Sequence, residues 1–132
     1  MSQNVFVIGL GNMGAALAGT LLDKGYAITV WNRTESRATA LVDAGATLAK
    51  SIAEGIIANE VILVCLNNYE DSRNCLSTCS DLTDKTLIQL TTGSTKEASD
   101  LQAWATQLGG RYLDGAILAY PSGIGSPNCT LL

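Results

Sequence analysis

Three glycines near the amino terminus have the spacing of a turn that holds phosphate groups. Gly9, Gly11 and Gly14 form the pattern G-x-G-x-x-G directly after the apolar run "VFVI" and before a helical pattern. In that context the glycines allow a tight turn and a close backbone approach, and the N–H groups at the helix start face a pyrophosphate. Two alternatives stay open: a similar turn for flavin or adenosylmethionine, and a glycine turn with no ligand. The residues expected to line the turn are Gly9, Leu10, Gly11, Asn12, Met13 and Gly14.

The segment "VWNRTESR", Val30 to Arg37, decides which dinucleotide fits best. A chain that prefers NAD has an acid here that accepts hydrogen bonds from the ribose 2′-hydroxyl, and an acid repels a 2′-phosphate. This chain has the neutral Asn32, followed by Arg33, whose planar guanidinium can hold a phosphate. Thr34 can cap the next helix and add a donor, while Arg37 lies one helical turn beyond Arg33. The sequence therefore predicts NADP(H), with a solvated surface arginine as the alternative for Arg33.

Short apolar runs alternate with helical patterns along the whole chain. Strands are predicted at 4–8, 27–32, 60–66, 86–91 and 111–118, with a weak one near 46–48. Such alternation predicts βαβ units and a parallel sheet with helices on both faces. A chain of 132 residues is long enough for one core and too short for two ordinary domains. We expect one α/β domain over residues 1–132, a Rossmann-type doubly wound parallel sheet of about six strands.

The helices have recognisable start and stop signals. The first is predicted to begin near Met13, with Leu17, Leu21 and Leu22 on one face and Gly25 as a left-handed stop. Capping-box spacing, in which two side chains satisfy each other's backbone N–H groups, occurs in two pairs, Ser51 with Glu54 and Ser94 with Glu97. A last amphipathic pattern, expected to pack on the sheet, comprises Leu101, Trp104, Ala105 and Leu108.

Composition argues against several classes of function. The net charge is −4, and no run of Lys or Arg could neutralise several phosphates of a nucleic acid. The apolar runs are far shorter than the ~18 residues of a membrane span, and no signal peptide is recognisable. The chain has no histidine, and Cys65, Cys75, Cys79 and Cys129 lack a metal-ligand spacing. We expect a cytoplasmic protein without a metal site, whose cysteines are reduced and structural.

The stretch "GLGNMGAALAGTLLDKGYAITVWNRT" resembles the opening of the β-hydroxyacid dehydrogenase superfamily, which includes the 6-phosphogluconate and 3-hydroxyisobutyrate dehydrogenases. In that superfamily a G-L-G-x-M-G turn leads through one helix to a strand that ends in N-R-T. The resemblance covers the whole chain and implies further cofactor contacts. Cys65, Leu66 and Asn67 would flank the nicotinamide-side ribose, and Thr92 would approach the nicotinamide.

Later segments are similar to the imine reductases of the same superfamily. Hydroxyacid dehydrogenases have D-A-P-V-S-G-G after the sixth strand, and its Ser-Gly-Gly holds a substrate carboxylate. Here the segment from Asp114 reads "DGAILAY", which supplies no such cradle for an anion. The segments "LTTGS" and "LDGAILAYP" match the imine reductases, which reduce a C=N bond with hydride from NADPH. The resemblance implies an NADPH-dependent imine reductase, with two alternatives: an NADP-dependent 3-hydroxyacid or aldehyde-type enzyme, and a non-catalytic NADP-binding module.

Members of this superfamily continue through a long helix into a helical C-terminal domain that dimerises and completes the active site. No such helix follows Leu132, so we expect an N-terminal domain that can hold the cofactor and does not turn over alone. For proton donation, Tyr120 could serve a substrate nitrogen, with an aromatic wall as its alternative. Asp114 could also serve, or could pair with backbone. The expected partners are a small-molecule imine and, in the full-length protein, a second copy of the chain.

Overall fold

The computed structural model describes residues 4–66, 69–77, 79–90 and 95–114 of the chain. Its strands are β1 Asn4–Ile8, β2 Ala27–Trp31, β3 Thr47–Leu48, β4 Val61–Val64, β5 Thr86–Gln89 and β6 Arg111–Asp114. Its α-helices are α1 Asn12–Asp23, α2 Thr39–Asp43, α3 Ile52–Ala58, α4 Tyr69–Leu76 and α5 Thr95–Gln107, and a 3₁₀ helix covers Glu35–Ala38.

The six strands form one parallel sheet in the order β3-β2-β1-β4-β5-β6. The predicted doubly wound α/β sheet is therefore confirmed. The chain leaves β1 toward one edge and returns through β4 toward the other, which makes the β1–β4 pair the switch point of the fold. Ligands of open parallel sheets bind beyond the carboxyl ends of the strands at such a point.

Some strands are shorter than predicted. The strand predicted at 27–32 ends at Trp31, because Asn32 turns its side chain to neighbouring backbone groups. The strand predicted at 60–66 covers Val61–Val64, where its pairing with both neighbouring strands ends. The one predicted at 111–118 is described only over Arg111–Asp114.

Strand alternation divides the core between the two faces of the sheet. On one face Phe6 and Ile8 lie beside Ile62 and Val64, under α3 and α5. The residues on the opposite face, which pack under α1 and α2, include Val5, Val7, Ile28, Val30 and Leu63. Both faces of β1 are thus buried, as expected for a central parallel strand.

The predicted helix signals other than the cap at Thr34 agree with the structure where it describes them, although the capping box at Ser51 forms only one of its two hydrogen bonds. Leu17 is buried, Leu21 and Leu22 pack on the core cluster under α1 and α2, and Gly25 adopts a φ of 93° after α1. The Ser51 hydroxyl accepts a hydrogen bond from the Glu54 N–H at 3.1 Å. The last amphipathic set packs as predicted, through buried Leu101 and Ala105 and partly buried Trp104 and Leu108. Ser94 lies outside the described residues.

Gly55 lets α3 sit directly on the sheet, and this contact gives a first prediction. A Cβ at Gly55 would overlap the ring of Phe6, which is fully buried and cannot move aside. We expect Gly55→Ala to lower the free energy of unfolding by about 1–2 kcal/mol, because overpacking outweighs the better helix propensity of alanine. Gly19→Ala is the matched control, since its Cβ would make only an ordinary contact with Leu41.

Urea unfolding of both variants tests this contact. Gly19→Ala should stabilise the protein by about 0.5–1 kcal/mol, so the two substitutions should have opposite signs. A stabilising Gly55→Ala would mean that α3 does not lie this close to Phe6.

No helix among the described residues is long and apolar enough to cross a membrane. Over the same residues, no group of three or more His, Cys, Asp or Glu side chains is placed to hold a metal ion.

Candidate nucleotide-binding site

A cavity of about 540 Å³ lies at the carboxyl ends of β1, β2 and β4. Its position is the switch point of the sheet, where ligands of this fold class bind. Its lining residues are Gly9, Gly11, Met13, Gly14, Trp31, Asn32, Arg33, Arg37, Cys65, Leu66, Asp71 and Cys75. The volume is within the range of small-molecule and cofactor sites.

The glycine turn has a different physical requirement at each glycine. Gly9 has a φ of 96°, and a Cβ there would overlap the Cys65 carbonyl oxygen. A Cβ at Gly14 would overlap the carbonyl oxygen of Gly9, so this glycine lets α1 pack against the turn. Gly11 differs from both, because its φ of −66° suits any residue and no atom lies within 4 Å of its Cβ position. Neither backbone geometry nor packing explains why position 11 is a glycine, whereas a ligand that approaches the turn closely would explain it.

The start of α1 is suited to an anion. Gly11 is the N-cap, no side chain caps the helix, and its first turn contains no acidic residue. The first N–H groups of an α-helix have no acceptor within the helix, and they carry the positive end of its dipole. Gly11, Met13 and Gly14, at this start of α1, line the cavity.

Asn32 connects the glycine turn to the loop after β2. Its Oδ1 accepts a hydrogen bond from the Leu10 N–H at 2.9 Å, and its Nδ2 donates to the Thr34 carbonyl oxygen at 3.1 Å. An aspartate could accept the first bond and could not donate the second. Asn32 is therefore a structural link as well as a neutral residue at the position of the expected acid.

Two arginines lie on the rim of the cavity. Arg33 directly follows Asn32, and Arg37 lies in the 3₁₀ helix that begins two residues later. Both side chains are exposed and both line the cavity, so a phosphate at the end of β2 could contact either guanidinium. The arrangement gives this end of the cavity a positive charge next to the anion-binding helix start.

The predicted cap at Thr34 was wrong. Thr34 occupies the N-cap position of the 3₁₀ helix, but its side chain makes no capping hydrogen bond. Its carbonyl oxygen accepts from the Arg37 N–H at 3.2 Å, as the carbonyl of an N-cap residue normally does, and from Asn32 Nδ2. Thr34 is exposed and is not among the residues that line the cavity.

Two thiols line the cavity, those of Cys65 and Cys75. Cys65 follows β4, and burial raises the pKa of its thiol. Burial also raises the pKa of Cys75, against which the positive charge of Arg33 acts in the lowering direction. Both thiols are therefore protonated at neutral pH, and neither is a ready nucleophile.

The other predicted site residues divide into four groups. Leu66 lines the cavity together with Cys65. Leu10 contributes only its backbone, because its side chain is 1% exposed and belongs to the core. Asn12 begins α1, and its side chain is outside the description, as is that of Asp114 at the end of β6. The positions that lie wholly outside the described residues are Asn67, Thr92 and Tyr120.

Sequence reasoning did not find three of the lining residues. Trp31 is the last residue of β2, and Asp71 and Cys75 lie on α4. The pair on α4 has helical i, i+4 spacing, which could have indicated a shared face. The apolar content of "YEDSRNCL" is too low for hydrophobic periodicity to locate that helix.

Comparisons with known proteins agree with this geometry. A family profile described as the NAD binding domain of 6-phosphogluconate dehydrogenase matches residues 4–118. An NADPH-dependent reductive aminase of Aspergillus oryzae is 45% identical over 136 residues, which cover 100% of this chain and 45% of that protein.

Two solved structures are similar to this chain in both fold and sequence. The reductive aminase from Aspergillus terreus, in complex with NADPH and ethyl levulinate, has a TM-score of 0.94 and 36% identity over 99% of this chain and 46% of its own. The imine reductase from Myxococcus stipitatus, in complex with NADP⁺, has a TM-score of 0.93 and 40% identity over 97% of this chain and 45% of its own. The chain spans less than half the length of these relatives.

Proposed function

The chain belongs to the family of NAD binding domains of 6-phosphogluconate dehydrogenase, and we propose that its cavity binds NADP(H) for the reduction of a C=N bond. One observation carries the cofactor proposal. The open glycine turn, the start of α1 and the two arginines after β2 line a single cavity. Each of the three suits an anionic group, and together they match the pyrophosphate and 2′-phosphate of NADP(H).

The residues that line the cavity can be assigned to successive parts of the cofactor. The N–H groups at the start of α1 would hold the pyrophosphate, next to the space that Gly11 leaves open. The adenosine ribose would lie at the end of β2, where Arg33 and Arg37 can reach its 2′-phosphate. Cys65 and Leu66, at the end of β4, would then face the nicotinamide half.

When bound, NADPH supplies the hydride, and the protein must position it and exclude water. The relatives named above support imine reduction, as does the segment "DGAILAY", which offers no cradle for a substrate carboxylate. Tyr120 and Asp114 remain the candidates for proton donation to the substrate nitrogen. We further propose that the full-length protein is a homodimer whose second domain completes the active site.

Activity assays on the full-length protein test the reaction. We expect oxidation of NADPH to depend on a cyclic imine, with no oxidation of a 3-hydroxyacid in the presence of NADP⁺. Hydroxyacid oxidation without imine reduction would favour the second enzyme class of this superfamily. Tight NADPH binding without either activity would favour a non-catalytic module.

Substitution of Asn32 tests the link between the glycine turn and the arginine loop, the segment 32–37 that contains Arg33 and Arg37. We expect Asn32→Asp to weaken NADPH binding by about tenfold or more, because the carboxylate loses the donor to Thr34 and repels the 2′-phosphate. NADH, which lacks that phosphate, should lose less. Asn32→Ala is the control, since it removes the link without adding a charge and should weaken both cofactors to a similar degree. Equal losses of NADPH and NADH in Asn32→Asp would contradict the placement of the phosphate.

A further inference from the structure

Helix α4 forms the wall of the cavity that faces the arginine loop. Asp71 and Cys75 are the α4 residues that line the cavity. They are one helical turn apart and therefore share a face of the helix. Both are half-buried, whereas the neighbouring Glu70 is exposed.

Asp71 and Arg33 line the same cavity from two elements, α4 and the segment that follows β2. The negative charge of Asp71 and the positive charge of Arg33 both act on the Cys75 thiol, with opposite effects on its pKa. The two charged groups therefore flank one region of the cavity, between the end of β2 and the face of α4.

That region is where the base of a bound dinucleotide would lie. In the proposed arrangement the start of α1 holds the pyrophosphate, and the end of β2 holds the ribose with its 2′-phosphate. The nicotinamide half extends toward Cys65 and Leu66. Of the described lining residues, this arrangement leaves four for the base, and Asp71 is the charged one among them: Met13, Trp31, Asp71 and Cys75.

A carboxylate in this position selects a particular edge of the base. An ionised carboxylate accepts hydrogen bonds and donates none. Adenine carries one exocyclic donor, its 6-amino group, beside ring nitrogens that are acceptors. Because a carboxylate offers about four lone-pair sites, Asp71 can accept from this amine in addition to its contacts within the protein.

We propose that Asp71 is a specificity-determining residue that recognises adenine by accepting a hydrogen bond from its 6-amino group. This inference rests on the proposed binding of NADP(H). It gives a role in binding to the acidic side chain of a cavity that is otherwise suited to phosphate groups.

Reduced nicotinamide hypoxanthine dinucleotide phosphate is the probe, because it has a carbonyl oxygen in place of the 6-amino group and a proton on N1, so an acceptor lies where adenine has its exocyclic donor. We expect the wild-type chain to bind NADPH about 10- to 150-fold more tightly than the hypoxanthine analogue, the range for one hydrogen bond to a charged group. In Asp71→Asn the amide can donate to the carbonyl oxygen, so the preference should fall to near unity.

Glu70→Gln is the matched control. It makes the same change one residue earlier on the exposed side of α4, and it should keep the full preference for NADPH. The ratio of the two affinities is measured within each variant, so a modest change in stability does not affect it. Far-UV circular dichroism verifies that each variant is folded.

The possible outcomes separate this inference from the function on which it rests. Equal binding of NADPH and the analogue by the wild type would overturn the role of Asp71 and leave NADP(H) binding intact. An unchanged preference in Asp71→Asn would also overturn it, because the residue would then act only as a charge near the phosphates. Absence of binding by both nucleotides would overturn the proposed function and this inference together.

Discussion

Replacing Arg33 with alanine is expected to weaken NADPH binding by about 10- to 150-fold, the effect of losing one charge-assisted contact with a phosphate. NADH binding should be nearly unchanged, because NADH has no 2′-phosphate. Arg33 is exposed at the rim of the cavity and directly follows Asn32, so its loss does not disturb the core. Fluorescence titrations with both cofactors at one ionic strength measure the two affinities.

Arg73→Ala is the control for Arg33→Ala. Arg73 is an exposed arginine on α4 that does not line the cavity, so its removal changes the net charge by the same amount. It should alter NADPH binding only slightly. Comparable losses in the two variants would mean that the cofactor responds to overall charge and that no specific phosphate contact exists at Arg33.

Arg37→Ala should weaken NADPH binding as well. The effects of Arg33→Ala and Arg37→Ala are not expected to be additive in the double variant, because both arginines would contact one phosphate.

Substitutions in the glycine turn are expected to affect stability at one glycine and cofactor binding at another. Gly14→Ala should destabilise the protein by about 1–3 kcal/mol, because its Cβ would overlap the Gly9 carbonyl and push α1 away from the turn. Gly11→Ala should leave the free energy of unfolding almost unchanged, since its backbone suits alanine and the Cβ position is open. It should nevertheless weaken NADPH binding by about tenfold or more, because the methyl group would enter the space expected for the pyrophosphate.

Urea unfolding and NADPH titration of both variants measure this separation. A strongly destabilised Gly11→Ala would show that the glycine has a structural role. A stable Gly11→Ala with undiminished affinity would place the pyrophosphate elsewhere and would remove the main support for a ligand at the turn.

The features that sequence predicted best depend on local chain geometry. The glycine turn, the stop at Gly25 and the alternation of strands and helices follow from backbone requirements or hydrophobic periodicity within a few residues. The position of Arg33 also followed, because it lies a fixed distance along the chain from the end of β2. These local signals were enough for the fold and for one side of the cavity.

The features that sequence did not predict depend on contacts between distant segments. Asn32 binds the Leu10 N–H across 22 residues, and no local pattern encodes that hydrogen bond. Asp71 and Cys75 reach the cavity only because β4 lies beside β1 in the sheet. Thr34 has a suitable residue type and lies at the N-cap position, and its carbonyl oxygen accepts the Arg37 N–H. Its hydroxyl, however, makes no capping hydrogen bond.

The most direct test of the central claim is a titration of the wild-type chain with NADPH and NADH at the same ionic strength. Trp31 lines the cavity, so its fluorescence should fall as nicotinamide emission rises. We predict saturable binding of both, with NADPH tighter by about 10- to 150-fold because Arg33 and Arg37 contact its 2′-phosphate. Equal affinities would contradict the assignment of the arginines, and no binding of either cofactor would contradict the assignment of the cavity.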